Sequence, residues 1–384
     1  MNRLRMYLPN PAPDLDGASS MLFEMGGLVV IHDAAGCIEN YTVYEEPRWF
    51  GADSLILSSG LTHMDAVLGD EEKLISQICE TVEDFKPNFV AIVGSPVPYT
   101  LGMDLDGMAY EVQQRIGLPA FAVPCGSFDI YDTGAADALQ RLIKCTALKD
   151  TIKKPKHINL LGALPMDFSS VQIAALVNMF KELGVTAHPF CMGTNFDDLF
   201  CIAGAELNIT ISYSGIKAAR FLEKEYGMPW VYGFPCNKNQ AEWLIKGHSI
   251  CGADKFHCSK TKSMHCLVLG EQIVASSLAA TLCKTYGWEA YAGVTMSFEK
   301  SIANKDTFHL EDEEAIIEAL SKKWDIVIGD PLYRLLPNAE YNKWLEIPHA
   351  ALSSHIYKDK ELNEGLNDLS GMVYRFYEKS NFYF

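Results

Sequence analysis

The sequence predicts an α/β fold made of three Rossmann-like, open parallel-sheet units arranged around a central cleft. Short apolar runs alternate with helix-period stretches along all 384 residues, as in chains that cover parallel sheets with helices. Two irregular stretches, Lys149–Lys156 and Lys246–Ser263, each interrupt that alternation just before a strand. They divide the chain into units at 1–150, 151–261 and 262–384. A hydrophobic share of 48% against 21% charged residues is that of a globular chain, and the length suits two or three domains.

In the first unit the apolar runs Leu28–His32, Ser54–Ser58, Phe89–Gly94 and Ala120–Pro124 read as strands. In the second they are His157–Leu161, Val185–Phe190, Leu207–Ser212 and Trp230–Phe234. In the third they are Cys266–Gly270, Glu289–Val294 and Ile326–Gly329. Glu71–Phe85 carries Leu74, Ile75, Ile78, Val82 and Phe85 on one helical stripe, and Ser169–Leu183 and Gly215–Tyr226 read the same way. Pro9–Asp16 forms a Pro- and Asp-rich arm. In open parallel sheets, ligands collect at the carboxyl ends of the strands, which places the cleft there.

With 32 basic against 49 acidic residues the net charge is −17, which argues against nucleic acid or an anionic membrane as a partner. No apolar run is long enough to span a bilayer, and Met1–Pro13 lacks the apolar stretch of a secretory signal. Eleven cysteines, odd in number and irregularly spaced, fit a reducing cytoplasm better than a disulfide framework. There is no G-x-x-x-x-G-K-[ST], G-x-S-x-G, H-E-x-x-H or G-x-G-x-x-G, so ATP hydrolysis and the common NAD fingerprint are not expected of this chain.

The chemistry-bearing positions sit at strand ends. Gly36 and Cys37 close the small-residue turn behind the first strand, where backbone N–H groups favour a thiolate; a small buried hydrophobe is the competing role. Cys125 ends the fourth strand before Gly126, with ligation and packing equally open. Cys79, Cys145, Cys201 and Cys283 read as core, whereas Cys191 and Cys236 end strands and stay open. Cys251, Cys258 and Cys266, with His257 and His265, are spaced C-x6-C and C-x7-C, unlike a structural zinc site. Tyr41, Glu45 and Arg48 follow Cys37, Tyr131 follows Cys125, and Ser212 and Tyr213 end a strand of the second unit. These are cleft candidates, because reductions need matched protons; solvated loop residues are the alternative. His32 reads as a core histidine or a donor into the turn.

The order of these segments resembles the catalytic component of nitrogenase, component 1, over nearly the whole chain. The likeness lies in His32-x-x-x-Gly36-Cys37, Leu68-Gly69-Asp70 with Leu74, Ser95-Pro96-Val97-Pro98 with Asp104, and Val123–Phe128. It continues in Ala205–Tyr213 with Glu223–Trp230, and in Met264–Glu271. The resemblance implies an iron–sulfur cluster at a subunit interface, with Cys37 as a ligand and Cys125 and Ser95 as weaker candidates. The family's other two cysteine positions are empty here. The arm offers only Asp14 and Asp16, and Val97 stands at the third position. Ser212 stands where the family's cofactor cysteine would be, and no late histidine matches, although His349 and His355 lie in the final unit.

These departures argue against nitrogen fixation and point to the nitrogenase-like reductases of tetrapyrroles. There a [4Fe-4S] cluster shared between subunits would be expected, with a second metallocofactor or a tetrapyrrole-like substrate. The implied partners are a similar subunit, in a homodimer or a heterodimer or heterotetramer, and an ATP-hydrolysing iron protein. The alternatives are a metallocofactor assembly scaffold or carrier of the same superfamily, and a non-metallic binding or transferase protein of similar architecture.

Overall fold

The computed structural model describes residues 5–34, 52–69, 71–250, 264–354 and 356. Within them lie three all-parallel sheets. The first holds β1 (Leu28–Ile31), β2 (Leu55–Ser58), β3 (Val90–Val93) and β4 (Ala120–Val123) in the order β2-β1-β3-β4. The second holds β5 (His157–Leu161), β6 (Thr186–Pro189), β7 (Leu207–Thr210) and β8 (Trp230–Tyr232) in the order β6-β5-β7-β8. The third comprises β9 (His265–Gly270), β10 (Glu289–Val294), β11 (Thr307–His309), β12 (Ile326–Gly329) and β13 (Trp344–Glu346) in the order β11-β10-β9-β12-β13.

The three sheets share one winding rule. The chain lays down a central strand, builds outward on one side, then crosses to the other. Each sheet therefore has a switch point, between β1 and β3, β5 and β7, and β9 and β12. There the loops leaving the carboxyl ends diverge and open a crevice.

The strands are continuous apolar runs because both faces are covered. In β1, Leu28 and Val30 face one cluster and Val29 and Ile31 the other. The Glu71–Phe85 and Leu105–Ile116 helices cover the first face, through Leu74, Ile78, Met108 and Val112. The Asp14–Met21 and Tyr131–Thr146 helices cover the second, through Met21, Leu139 and Leu142. That second face is continuous with the cores of the other two sheets.

All eleven expected strands are present, each with its ends within two residues of the expected ones. Ser169 caps the helix Ser170–Glu182 through a reciprocal capping box with Gln172. Two strands escaped the sequence reading, β11 and β13. Each is a three-residue edge strand, too short to show a run. Cys145 and Cys201 are a correction, being exposed rather than core. Cys145 lies in the last turn of its helix, where the apolar stripe leaves the core. No helix among the described residues is long and apolar enough to cross a membrane.

Candidate functional site

At the switch point of the first sheet, His32 follows β1 and Ser95 follows β3. Ser95, fully buried, donates its Oγ–H to the His32 carbonyl at 3.0 Å. The His32 ring is 4% exposed; its Nδ1 meets Ser59 Oγ at 2.9 Å, and its Nε2 has no partner among the described residues. Burial holds this ring below the ordinary histidine range, against the nearby charges of Asp33 and Asp65.

Cys125 lies behind β4, 3% exposed. Burial pushes its thiol well up, and the charges of Asp14, Asp137 and Asp16 push it further. The Asp14 carboxylate accepts from the Gly126 and Ser127 N–H groups at 3.1 and 2.8 Å, which pins the arm onto the Cys125 turn. Val97 lies on the short Pro96–Leu101 helix, 40% exposed. Gly36, Cys37, Tyr41, Glu45 and Arg48 lie outside the described residues, as do Cys251, His257, Cys258 and His355.

Among the described residues no group of three or more His, Cys, Asp or Glu side chains is placed to hold a metal ion. A thiol held protonated is a poor cluster ligand. The described part of the first unit therefore does not by itself fit an iron–sulfur cluster.

A second constellation forms where the switch points of the middle and third sheets meet the start of the Tyr131–Thr146 helix. Glu271 and Asp330 stand directly behind strands, Asp132 at a helix start, and Asp167 in the loop after β5. Glu271 follows β9 and caps the Gln272–Tyr286 helix, accepting from the Ile273 and Val274 N–H groups at 3.0 and 2.8 Å. It also accepts from the Tyr213 N–H at 2.8 Å, which ties the third unit to the middle one.

Asp132, fully buried, accepts from the Ser297 hydroxyl at 2.6 Å and its N–H at 3.1 Å, tying the first unit to the third. Tyr131 donates its phenol to Asp167 Oδ1 at 2.6 Å, and His349 Nε2 lies 3.2 Å from the same oxygen. Asp330, behind β12, accepts from the His349 N–H and the Ser353 hydroxyl, each at 2.7 Å, and from the Leu332 N–H at 2.8 Å. Ser212 is fully buried; its Oγ–H donates to the Gly162 carbonyl at 2.8 Å and the oxygen lies 2.8 Å from Ser214 Oγ. Gly162 has φ +88°, and a Cβ there would lie 2.7 Å from Ser212 Oγ, so this turn requires glycine.

Burial dominates the electrostatics. It raises Asp132 to about 7 against the Ser297 hydrogen bonds. It raises Glu271 to about 8, with the Asp167 charge adding to it. Tyr131 is pushed well up by burial and then by the charges of Asp167 and Asp132. For His349, burial pulls downward, but the Asp167 hydrogen bond and the charges of Asp167, Asp330 and Glu271 outweigh it and leave the ring raised.

These shifts share one sign. An unfolded chain releases the carboxyl protons near 3.8 and 4.5, whereas the folded chain keeps them to about 7 and 8. The fold binds more protons over that interval, so stability falls as pH rises through it. A raised histidine adds stability that is complete below its unfolded value and is lost as pH rises through its folded value, in the same direction. Asp65 and Glu299, both drawn down to about 2 by hydrogen bonds, lose their contribution only in stronger acid. The melting temperature is therefore expected to be higher at about pH 5.5 than at about pH 8.5, by on the order of 5 °C. A calorimetric series showing the reverse slope contradicts the assignment of buried, proton-bearing acids to the junction.

Of the residues singled out in the sequence, Tyr131, Ser212 and Tyr213 come to this junction, and Ser95 and Cys125 to the strand ends of the first sheet. Asp167, Glu271, Ser297 and Asp330 were missed as site residues. Their signal is positional: Gly270-Glu271 and Gly329-Asp330 each set an acid behind a strand-ending glycine at a switch point. His349, noted only for its place in the final unit, stands in the same network.

Comparison with known proteins finds the same architecture. The sequence model of the family described as nitrogenase component 1 type oxidoreductase matches residues 14–246. The nitrogenase iron-molybdenum cofactor biosynthesis protein NifE of Clostridium pasteurianum is 27% identical over 223 residues, which cover 56% of this chain and 46% of that protein. A light-independent protochlorophyllide reductase subunit of Adiantum capillus-veneris is 22% identical over 367 residues, covering 80% of this chain and 70% of the relative. The solved structure of nitrogenase Cp1 at pH 6.5 superposes with a TM-score of 0.67 at 12% identity, over 91% of this chain and 87% of that one. The chain thus spans about half the length of the NifE relative and more of the reductase relative.

Proposed function

This chain belongs to the nitrogenase component 1 type oxidoreductase family, and from that premise we propose that it is a subunit of a nitrogenase-like reductase rather than of a nitrogen-fixing enzyme. It works in the cytoplasm, apart from membranes and nucleic acid. It pairs with a similar subunit, identical or not, and receives low-potential electrons from a separate ATP-hydrolysing iron protein. Cys37, beside Gly36, supplies one ligand of a [4Fe-4S] cluster shared with the paired subunit. When bound, that cluster stores and passes single electrons, at a potential set by burial and surrounding charge.

The observation that carries the reading is the buried junction of Tyr131, Asp132, Asp167, Glu271 and His349. It gathers polar, hydrogen-bonded side chains from all three units at the switch points, where a ligand of an open sheet binds. Reducing an unsaturated substrate consumes protons as well as electrons, and a passive carrier has no need of them. Ser212, its hydroxyl engaged by Gly162 and Ser214, offers no thiolate at the position of the family's cofactor cysteine.

A second reading has a specific basis in the likeness to a cofactor biosynthesis protein: a scaffold that assembles a metallocofactor and hands it on. Electron uptake separates the two. With its paired subunit, an iron protein and MgATP, a reductase subunit consumes reductant in an ATP-dependent way. If it takes up no electrons but passes iron to an acceptor apoprotein, the scaffold reading stands and the reductase reading falls. Replacing Cys37 with alanine is expected to remove most of the bound iron while leaving the far-ultraviolet circular dichroism unchanged. Full iron in that variant excludes Cys37 as a ligand.

A further inference from the structure

We propose that His349, oriented by Asp167 and Tyr131, is the residue that delivers protons to an unsaturated, electron-accepting substrate reduced at the junction of the three units; the inference rests on the reductase reading and deepens it.

The geometry fixes the roles. His349 Nε2 lies 3.2 Å from Asp167 Oδ1, so a neutral ring keeps its proton on Nε2, facing the carboxylate. The Tyr131 phenol donates to the same oxygen at 2.6 Å and stands 3.5 Å from Nε2, which holds the carboxylate and the ring edge in register. Asp330 receives the His349 backbone N–H and fixes the segment. Nδ1 is left to bind and release the second proton.

Two buried polar atoms in this constellation have no hydrogen-bond partner among the described residues, Asp167 Oδ2 and His349 Nδ1. Unpartnered buried groups are rare and mark places where something else completes the set. The Asp167 side chain is 2% exposed and that of His349 is 18%, so what exposure the pair has lies on the imidazole, whose Nδ1 is itself covered.

The acids whose charges act on His349 favour a second proton, against burial. Asp167 comes from the loop behind β5, Glu271 from the end of β9 and Asp330 from the end of β12. From the Tyr131–Thr146 helix, the Tyr131 phenol is neutral, and Asp132 adds a carboxyl whose protonation burial favours. Among the described residues, the largest charges acting on the ring are all acidic.

The step is one proton transfer. The Nδ1–H bond of the imidazolium breaks and a bond from that hydrogen forms to the substrate atom that has gained electrons. The electrons come from the low-potential iron–sulfur protein, which is oxidised while the substrate is reduced. A neutral imidazole remains, with its proton on Nε2, and the covered Nδ1 takes its next proton from water that reaches it once the product has left. Asp167 and Tyr131 are positioning residues.

Two measurements on the full chain test this. In 15N-histidine spectra, with His349 assigned by its loss in His349→Gln, the neutral ring should be the Nε2–H form. Its midpoint should lie above that of free histidine, and Asp167→Asn should lower it. In iron-loaded protein with its partners, acetylene serves as a small acceptor of two electrons and two protons. His349→Gln should cut ethylene formation by about 100-fold at unchanged iron content, and Asp167→Asn should move the alkaline limb of the rate to lower pH.

An Nδ1–H ring, or a midpoint that Asp167→Asn leaves in place, overturns the proposal. So does wild-type ethylene formation in His349→Gln, which leaves the reductase reading intact. Iron-loaded wild-type protein that forms no ethylene and consumes no reductant in an ATP-dependent way overturns both.

Discussion

Replacing Gly134 with alanine is expected to cost about 3 kcal/mol or more, enough to leave little folded protein at 37 °C. A Cβ at Gly134 would lie 1.9 Å from the Asp14 carbonyl oxygen and 2.6 Å from its carbon. The reciprocal position is equally closed, since a Cβ at Gly17 would lie 1.8 Å from the Tyr131 carbonyl oxygen. The obstacles are backbone atoms on both sides, so no side-chain rotation relieves them and the two helices must separate. Alanine is the better helix former by about 1 kcal/mol, which the clash outweighs. Separation would also displace Tyr131 from Asp167 and Asp14 from the Cys125 turn, coupling a packing defect to both candidate sites. Chemical denaturation of Gly134→Ala with wild-type stability would show that the helices do not cross here as described.

Removing the Glu271 carboxyl is expected to have the next largest effect. Glu271→Ala leaves the N–H groups of Tyr213, Ile273 and Val274 without their acceptor in a site where Glu271 is 3% exposed. Orphaning one buried donor costs about 1–3 kcal/mol, and three at once should cost about 3–5 kcal/mol, tempered by water entering the space. Because one of the three bonds joins the third unit to the middle one, the loss should appear as earlier opening between units as well as lower global stability. Glu271→Gln is the informative control. Its amide oxygen still accepts hydrogen bonds, so most of the stability should remain. It carries no titrating proton, so the decline in stability between about pH 5.5 and about pH 8.5 should shrink. A Glu271→Gln protein with the full wild-type pH slope would remove Glu271 from the proton-bearing set.

How much of this was legible in the sequence depends on the physics behind each feature. Strands buried on both faces announce themselves, because Leu-Val-Val-Ile at 28–31 has no solvated face to break the run. Edge strands do not: Thr-Phe-His at 307–309 and Trp-Leu-Glu at 344–346 pair on one side only and mix polar with apolar residues. The turns that carry Ser95, Cys125, Ser212 and Tyr213 were legible, since small residues and cysteines behind apolar runs mark strand ends. Their partners were not. Asp132 meets Ser297 across 165 residues, and Tyr131 approaches His349 across 218. An acid behind a strand reads equally as a solvated loop residue until the fold buries it. His349 has no local motif at all; its role comes from Asp167, which another sheet delivers. The common winding of the three sheets was likewise invisible, because it is a repeat of topology with no repeat of sequence.

The most direct test of the central claim is the iron and acid-labile sulfide content per chain, on protein prepared without oxygen, with the mass of the assembly measured on the same sample. About two irons and two sulfides per chain in a dimer of this chain, or about four in a pair with an unlike subunit, is the expected result. It corresponds to one four-iron cluster shared across an interface. Folded, colourless protein that stays free of iron both alone and with its paired subunit would contradict it.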